Sequence, residues 1–177
     1  MTRPDLHELQ GLDATSQAYD QLKEGTEYIA ADRSEDVEDG AVALNVFVGN
    51  DAESDIDALV IVGFSTGGAA TLDVTNNASV DTAGTPLPTQ SKGVENGLRG
   101  TTLERGGTYT STGEELRLKL PGTKRSTGPA TTSGSDAVSG VRLLEPGKAV
   151  EYVVTNVSGG TADFGVTVSV IEISHEA

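Results

Sequence analysis

Apolar and polar residues alternate with a period of two over most of the chain after residue 26, the pattern of β-strands with one buried side. The pattern is clearest near the C-terminus, where two alternating arms flank Ser158-Gly159-Gly160. A glycine-rich connection between such arms predicts a β-hairpin that builds a hydrophobic core. The residues predicted on its buried side are Val150, Tyr152, Val154, Phe164, Val166, Val168 and Val170.

The same pattern predicts a series of short strands and no long helix. The predicted strands are Glu27–Ala31, Ala41–Val48, Ile56–Phe64, Ala69–Thr75, Thr108–Ser111, Glu115–Leu120, Val138–Leu144, Ala149–Thr155 and Phe164–Ile173. Ile56–Phe64 is the most continuously apolar run, so we expect a central strand covered on both faces. Eight or nine such strands indicate an all-β domain: a β-sandwich, a barrel or a single jelly roll.

Turn sequences separate these strands, and two of them specify a geometry. Asn76-Asn77 and Gly106-Gly107 are typical turn pairs. Pro121-Gly122 and Pro146-Gly147 each predict a type II turn, because proline presets the first φ and glycine accepts the positive second φ.

The chain divides into an N-terminal arm, residues 1–25, and a β-barrel domain, residues 26–177. Leucines in the arm recur at three- and four-residue spacings, and Asp13 or Thr15 is a candidate N-cap for a short helix. Such an arm is expected to order against a neighbour or against its own barrel. Within the domain, Thr123–Gly140 contains almost no apolar residue and predicts a long exposed loop suited to contacts with partners.

The net charge of the chain reduces the number of plausible functions. The chain carries 27 acidic residues against 12 basic ones, a formal net charge of −15. Such self-repulsion weakens a compact fold in dilute buffer, but molar salt shortens the Debye length to about 3 Å and screens it. We therefore expect a salt-adapted protein whose melting temperature falls below about 0.5 M salt. A nucleic-acid partner is not expected, since phosphate needs a basic surface.

No apolar run in the sequence resembles a signal peptide or a transmembrane helix. The expectation is a protein made in the cytoplasm that does not use the general secretory route.

One motif resembles a catalytic site. Gly63-Phe64-Ser65-Thr66-Gly67 has the form G-x-S-x-G after an apolar strand, and His175 follows acidic residues, as in a hydrolase triad. A nucleophile elbow leads into a helix, whereas the next residues read as a strand. Ser65 is therefore interpreted as a turn residue, and no enzyme activity is expected.

Two acidic runs, at residues 32–39 and 51–57, raise the question of calcium. An EF-hand counted from Asp51 would need glycine at its sixth position and glutamate at its twelfth, where Ile56 and Val62 stand. Solvated acidic surface is the favoured interpretation. With His7 and His175 far apart and no cysteine, neither a transition-metal site nor a cofactor site is predicted.

Acidic composition, the strand count behind an arm, and the segments Arg142–Gly147 and Glu151–Asn156 together resemble a known family. The chain is similar to the smaller major capsid protein of icosahedral haloarchaeal viruses with an internal membrane. The resemblance implies an upright single jelly roll in the virion capsid, assembled with itself and with a second, larger capsid protein. It also implies that residues 1–25 contact neighbouring subunits or the internal membrane at the capsid base.

Two other functions are left open by the sequence. One is a decoration or tail β-sandwich protein of a haloarchaeal tailed virus. The other belongs to a different class: a cytoplasmic ligand-binding barrel of a halophile, for which clustered inward-facing histidines and carboxylates would be expected.

Overall fold

The computed structural model describes residues 27–91, 98–111, 113, 115–122 and 138–174. Every regular element in these residues is a strand, so the prediction of an all-β domain is confirmed. The strands are β1 (Glu27–Val37), β2 (Val42–Asn50), β3 (Ile56–Thr66), β4 (Ala70–Asn76), β5 (Ala78–Thr82), β6 (Thr85–Pro86), β7 (Gln90–Ser91), β8 (Thr101–Arg105), β9 (Thr108–Ser111), β10 (Glu115–Leu120), β11 (Val138–Leu144), β12 (Ala149–Asn156) and β13 (Ala162–Ser174).

Two antiparallel sheets pack face to face as a β-sandwich. Sheet I has the order β11-β3-β13-β1-β7, and sheet II has the order β10-β4-β12-β2-β8-β6. Strands β5 and β9 form a separate two-stranded ribbon. The remaining segments of the chain, including the arm and most of the loop predicted at Thr123–Gly140, lie outside the described residues. In the described part, no helix has the length and hydropathy to cross a membrane.

The eight long strands pair as mirror images along the chain. Strand β1 pairs with β13, β2 with β12, β3 with β11, and β4 with β10. Within each half of the chain, successive long strands alternate between the sheets. The two halves therefore run against each other as one folded antiparallel ribbon, which we call the mirror pairing.

The prediction that the two C-terminal arms form a β-hairpin is wrong. Strand β12 pairs with β2 and β4 in sheet II, while β13 pairs with β1 and β3 in sheet I. The glycine-rich turn carries the chain across the sandwich instead of back along one sheet. Alternation correctly identified the buried side of each arm, but it holds no information on hydrogen-bonding partners, which decide between the two arrangements.

The core lies between the sheets and consists of the inward-facing side chains. Val46, Val62 and Val168 are fully buried, and the rings of Phe64 and Tyr152 contact each other at a centroid distance of 6.0 Å. Burial raises the pKa of Tyr152 to about 12. The residues predicted on the buried side of the two C-terminal arms are all buried.

A buried asparagine joins the loops at each end of the sandwich. At one end, the Asn50 amide donates to the carbonyls of Ile56 and Leu144, at 2.8 and 2.9 Å. At the other, the Asn156 amide donates to the carbonyls of Val37 and Gly160, at 2.8 and 2.7 Å. Both side chains replace backbone partners that the chain loses where strands end.

The two Pro-Gly turns differ from each other. Gly147 has a φ of 75°, and Lys148 donates to the carbonyl of Glu145, so the predicted turn is confirmed. Gly122 does not adopt a positive φ, so a type II turn is wrong there. Glycine is required at position 122 for steric reasons, because a Cβ there would overlap the backbone of Gly68.

The segment between β4 and β10 covers part of the outer face of sheet II. Tyr109 of β9 stacks on Phe47 of β2, with ring centroids 4.6 Å apart and planes inclined by 5°. Phe47 faces outward from its sheet, yet it is only 4% exposed. Strands β5 to β8 in this segment were not predicted, because their sequences are short and mostly polar.

A buried carboxylate anchors this same segment. Glu172 of β13 accepts hydrogen bonds from the backbone N–H groups of Arg99, Gly100 and Thr101, at 3.0, 3.2 and 3.1 Å. Glu172 is only 3% exposed, and the backbone N–H groups at the start of β8 supply the hydrogen bonds that its buried carboxylate needs.

Candidate interaction surface

The described geometry does not form a nucleophile elbow at Ser65. Ser65 lies inside β3, not in a turn as interpreted from the sequence, and it pairs with Gly165 of β13. The strand continues to Thr66, and the chain then crosses to β4 in the other sheet. His175 lies outside the described residues. Ser65 is thus a residue of the outer face of sheet I, where the small partner Gly165 makes room for it.

The acidic runs serve as hydrogen-bond acceptors and ion-pair partners in the described structure. Asp32 pairs with Arg105, and the Asp39 carboxylate accepts from the N–H of Gly159 at 2.9 Å. Asp51 accepts from the N–H of Glu53 at 3.0 Å, which forms a local turn. Among the described residues, no group of three or more acidic or histidine side chains could hold a metal ion.

A shallow depression of about 390 Å³ lies where three loops meet at the end of the sandwich near Asn156. Gly67, Gly68 and Gly122 line one side, and the turn at residues 158–162 lines the other. Its only described side chains with hydrogen-bonding groups are the hydroxyls of Ser158 and Thr161, and the former already donates to the carbonyl of Gly160. The described part of the lining contains no acidic or basic side chain.

The outer face of sheet I presents a contiguous apolar surface. In one row across the strands, Ile29, Ser169, Ile61 and Val141 are register neighbours. In the next row, Ile171 lies beside Leu59, which in turn lies beside Leu143. We call this surface the apolar face and define it by Ile29, Leu59, Ile61, Val141, Leu143, Ile171 and Ile173.

This face is partly open to solvent. Val141 is 56% exposed, Leu59 and Ile61 are half-buried, and only Ile171 is buried. Among the described strands, those that contact the strands of sheet I substantially are its own members and β2 from the opposite sheet. Strand β3 lies between β11 and β13, as expected of a central strand, and among the described residues its outer side is only partly covered.

Among the described residues, ionisable groups lie only at the margins of the apolar face. Glu27 and Asp57 lie at one end, and both are buried. Arg33 and Asp163 form an ion pair at the other end, with an N–O distance of 3.5 Å. The two central rows, apart from Glu27 and Gln90 on the side of β1 and β7, contain aliphatic residues and one serine.

The outer face of sheet II differs in composition. Arg117 of β10 pairs with Asp73 of β4 at 2.5 Å, and Glu151 lies on the neighbouring strand β12. Burial raises the pKa of Glu151, and a hydrogen bond with Asn45 opposes the shift in part.

The pKa of Tyr109, which covers this second face, is raised as well. Burial raises the pKa of its phenol, the charge of Glu104 raises it further, and the backbone of Gly107 opposes the change. The outer face of sheet II therefore combines charged side chains, such as Asp73 and Arg117, with a ring that covers Phe47.

Periodicity did not reveal the apolar face. Its signal is the presence of apolar residues at both parities of β3, where Leu59 and Ile61 point away from Val60 and Val62. That pattern was interpreted as a fully covered strand.

No family model matches the chain, and no curated protein or solved structure matches it.

Proposed function

We propose that the protein is a virion structural protein, a major capsid subunit that builds an icosahedral shell with copies of itself and a second capsid protein. The mirror pairing of the eight long strands carries this proposal. Mirror pairing with alternation between two sheets is expected of a jelly roll, an architecture used in viral capsid domains. The acidic composition supports assembly in concentrated salt.

The packing of the interior favours a structural role over a ligand-binding barrel. The space between the sheets is occupied by fully buried valines, including Val46, Val60 and Val150. A small-molecule site would instead need a concave lining with convergent polar groups.

The position of the chain start fits the arm that the family resemblance implies. Strand β1 begins at Glu27, near the sandwich end where the Asn50 amide joins two loops. Residues 1–25 are attached at that end, and in the proposed shell it faces the capsid base. The opposite end, with the turn at residues 158–162, faces outward.

Density-gradient sedimentation of lysate from a virus-producing haloarchaeal culture that encodes the chain tests the proposal. The chain is expected to co-sediment with icosahedral particles, at a copy number comparable to that of the second coat protein. Recovery only at the top of the gradient, as a small soluble species, would overturn it. A minor component of tailed particles would favour the decoration or tail role instead.

A further inference from the structure

We propose that the apolar face is the surface through which the protein binds a second copy of itself. The inference rests on the proposed function and deepens it by naming the contact between subunits. Its basis is the coincidence of an open aliphatic surface with the absence of charge from its centre.

The size of the apolar face suits a weak contact that is repeated in an assembly. It spans four strands at a spacing of about 4.8 Å and about five residues at 3.3 Å each, or roughly 400 Å² with side chains included. A patch of about this size is near the largest that monomers usually expose. Two such faces would bury roughly 800 Å², below the standard of about 1,600 Å² for a stable pair. A single contact is therefore weak, and several contacts per subunit are needed for a stable shell.

Charge selects this face for self-association. Each copy carries a net charge of −15, so contacts that bring acidic surfaces together are repulsive. The outer face of sheet II presents charged side chains of both signs, among them Asp73, Arg117 and Lys119, which would have to be paired or desolvated in a contact. The central row through Ile61 and Val141 presents no charge. Two copies can therefore approach most closely through the apolar face, and salt strengthens the contact by screening the remaining charges.

The same charge argues against a lipid surface as the occupant. Anionic headgroups attract clusters of basic residues, whereas Arg33, the cation that the structure describes at the margin of this face, is already paired with Glu35 and Asp163. A second copy needs no such cluster.

Two valines of equal exposure allow a matched test. Val141 lies on the apolar face at 56% exposure, and Val42 begins β2 in sheet II at 58% exposure. In full-length protein at 3 M KCl, sedimentation equilibrium is expected to show reversible self-association of the native chain. Val141→Glu should weaken it by tenfold or more, whereas Val42→Glu should leave it within about twofold of the native value. Both variants add one negative charge at an exposed site, so their difference isolates the position.

A second variant separates apolar contact from general repulsion. Val141→Lys lowers the net negative charge and should strengthen association if charge alone matters. We expect it to weaken association instead, because it also places a charge in the contact. Val141→Lys also replaces Val141→Glu as the test variant if the latter fails to fold, which far-ultraviolet circular dichroism would reveal.

Three results would overturn the proposal. The native chain could be monomeric at all concentrations, or the two glutamate variants could behave alike. Alternatively, Leu9→Glu in the arm could abolish association as fully as Val141→Glu, which would identify the arm as the occupant. None of these results depends on the gradient experiment, in which the chain either does or does not enter virus particles.

Discussion

The two outer faces of the sandwich are built from similar strands but protected in different ways. On sheet II, Phe47 is covered by Tyr109, and charged pairs such as Asp73 with Arg117 occupy the neighbouring strands. On sheet I, Ile61 and Val141 stand among other aliphatic residues without such a cover among the described strands. In the part of the chain that the structure describes, the centre of the apolar face has neither charged pairs nor an aromatic cover.

The largest expected effect concerns the aromatic cover. Phe47→Ala removes a buried ring and its stacking contact with Tyr109, so the free energy of unfolding should fall by about 3 to 4 kcal/mol. The matched change on the other face, Ile61→Ala, should cost about 1 kcal/mol, because Ile61 keeps contact with solvent. Denaturant unfolding in molar salt, at concentrations below self-association, measures both values. Equal losses would show that the outer face of sheet I is covered as well.

A smaller effect is expected at the anchor of the covering segment. Glu172→Ala leaves the N–H groups of Arg99, Gly100 and Thr101 without their acceptor, at a cost of about 2 to 3 kcal/mol. Amide hydrogen exchange should accelerate at these three positions and then at Tyr109, which follows them in the chain. Unchanged exchange at Tyr109 would mean that the cover does not depend on the anchor.

The smallest effect concerns Glu151 on sheet II. Burial raises its pKa in the folded state, so the folded protein binds a proton more readily than the unfolded chain. Stability is therefore lost as the pH rises from the unfolded pKa, about 4.3, through the raised folded value. Glu151→Gln should remove this loss and stabilise the protein by less than about 1 kcal/mol at pH 7, after allowance for solvent screening.

Thermal unfolding from pH 3.5 to 7 in molar salt checks this prediction. The native chain and Glu151→Gln should agree at the acidic limit and diverge as the pH rises. A gap that narrows with rising pH would contradict the assignment.

Strand position was predictable where the sequence alternates strongly, and less so where tertiary pairing extends a strand. Glu115–Leu120 and Val138–Leu144 have the predicted bounds. Strand β1 was predicted to end at Ala31 but continues to Val37 through a charged sequence. That extension pairs with β13 as far as Ala162, so a neighbouring strand determines it more than local propensity does.

The candidate surface depends on relations that a single sequence does not display. Ile29, Ile61 and Val141 are neighbours only because β1, β13, β3 and β11 pair in that register. The same holds for Phe47 and Tyr109, which meet across 62 positions of the chain. The sequence correctly predicted a strand after Ser65, because the alternation of residues 69–75 is a local signal.

The mirror pairing also constrains how the protein is made. Strand β13 lies between β3 and β1 and is the last strand of sheet I to emerge during synthesis. At about 5 to 20 residues per second, β13 is completed roughly 7 to 27 seconds after β1. The hydrogen bonding of sheet I is therefore complete only after Ser174 has left the exit tunnel. A nascent chain that stops before β13 lacks the central strand of sheet I. Until β13 has emerged, the completed strands of sheet I keep unpaired edges, which expose the nascent chain to aggregation and favour chaperone binding.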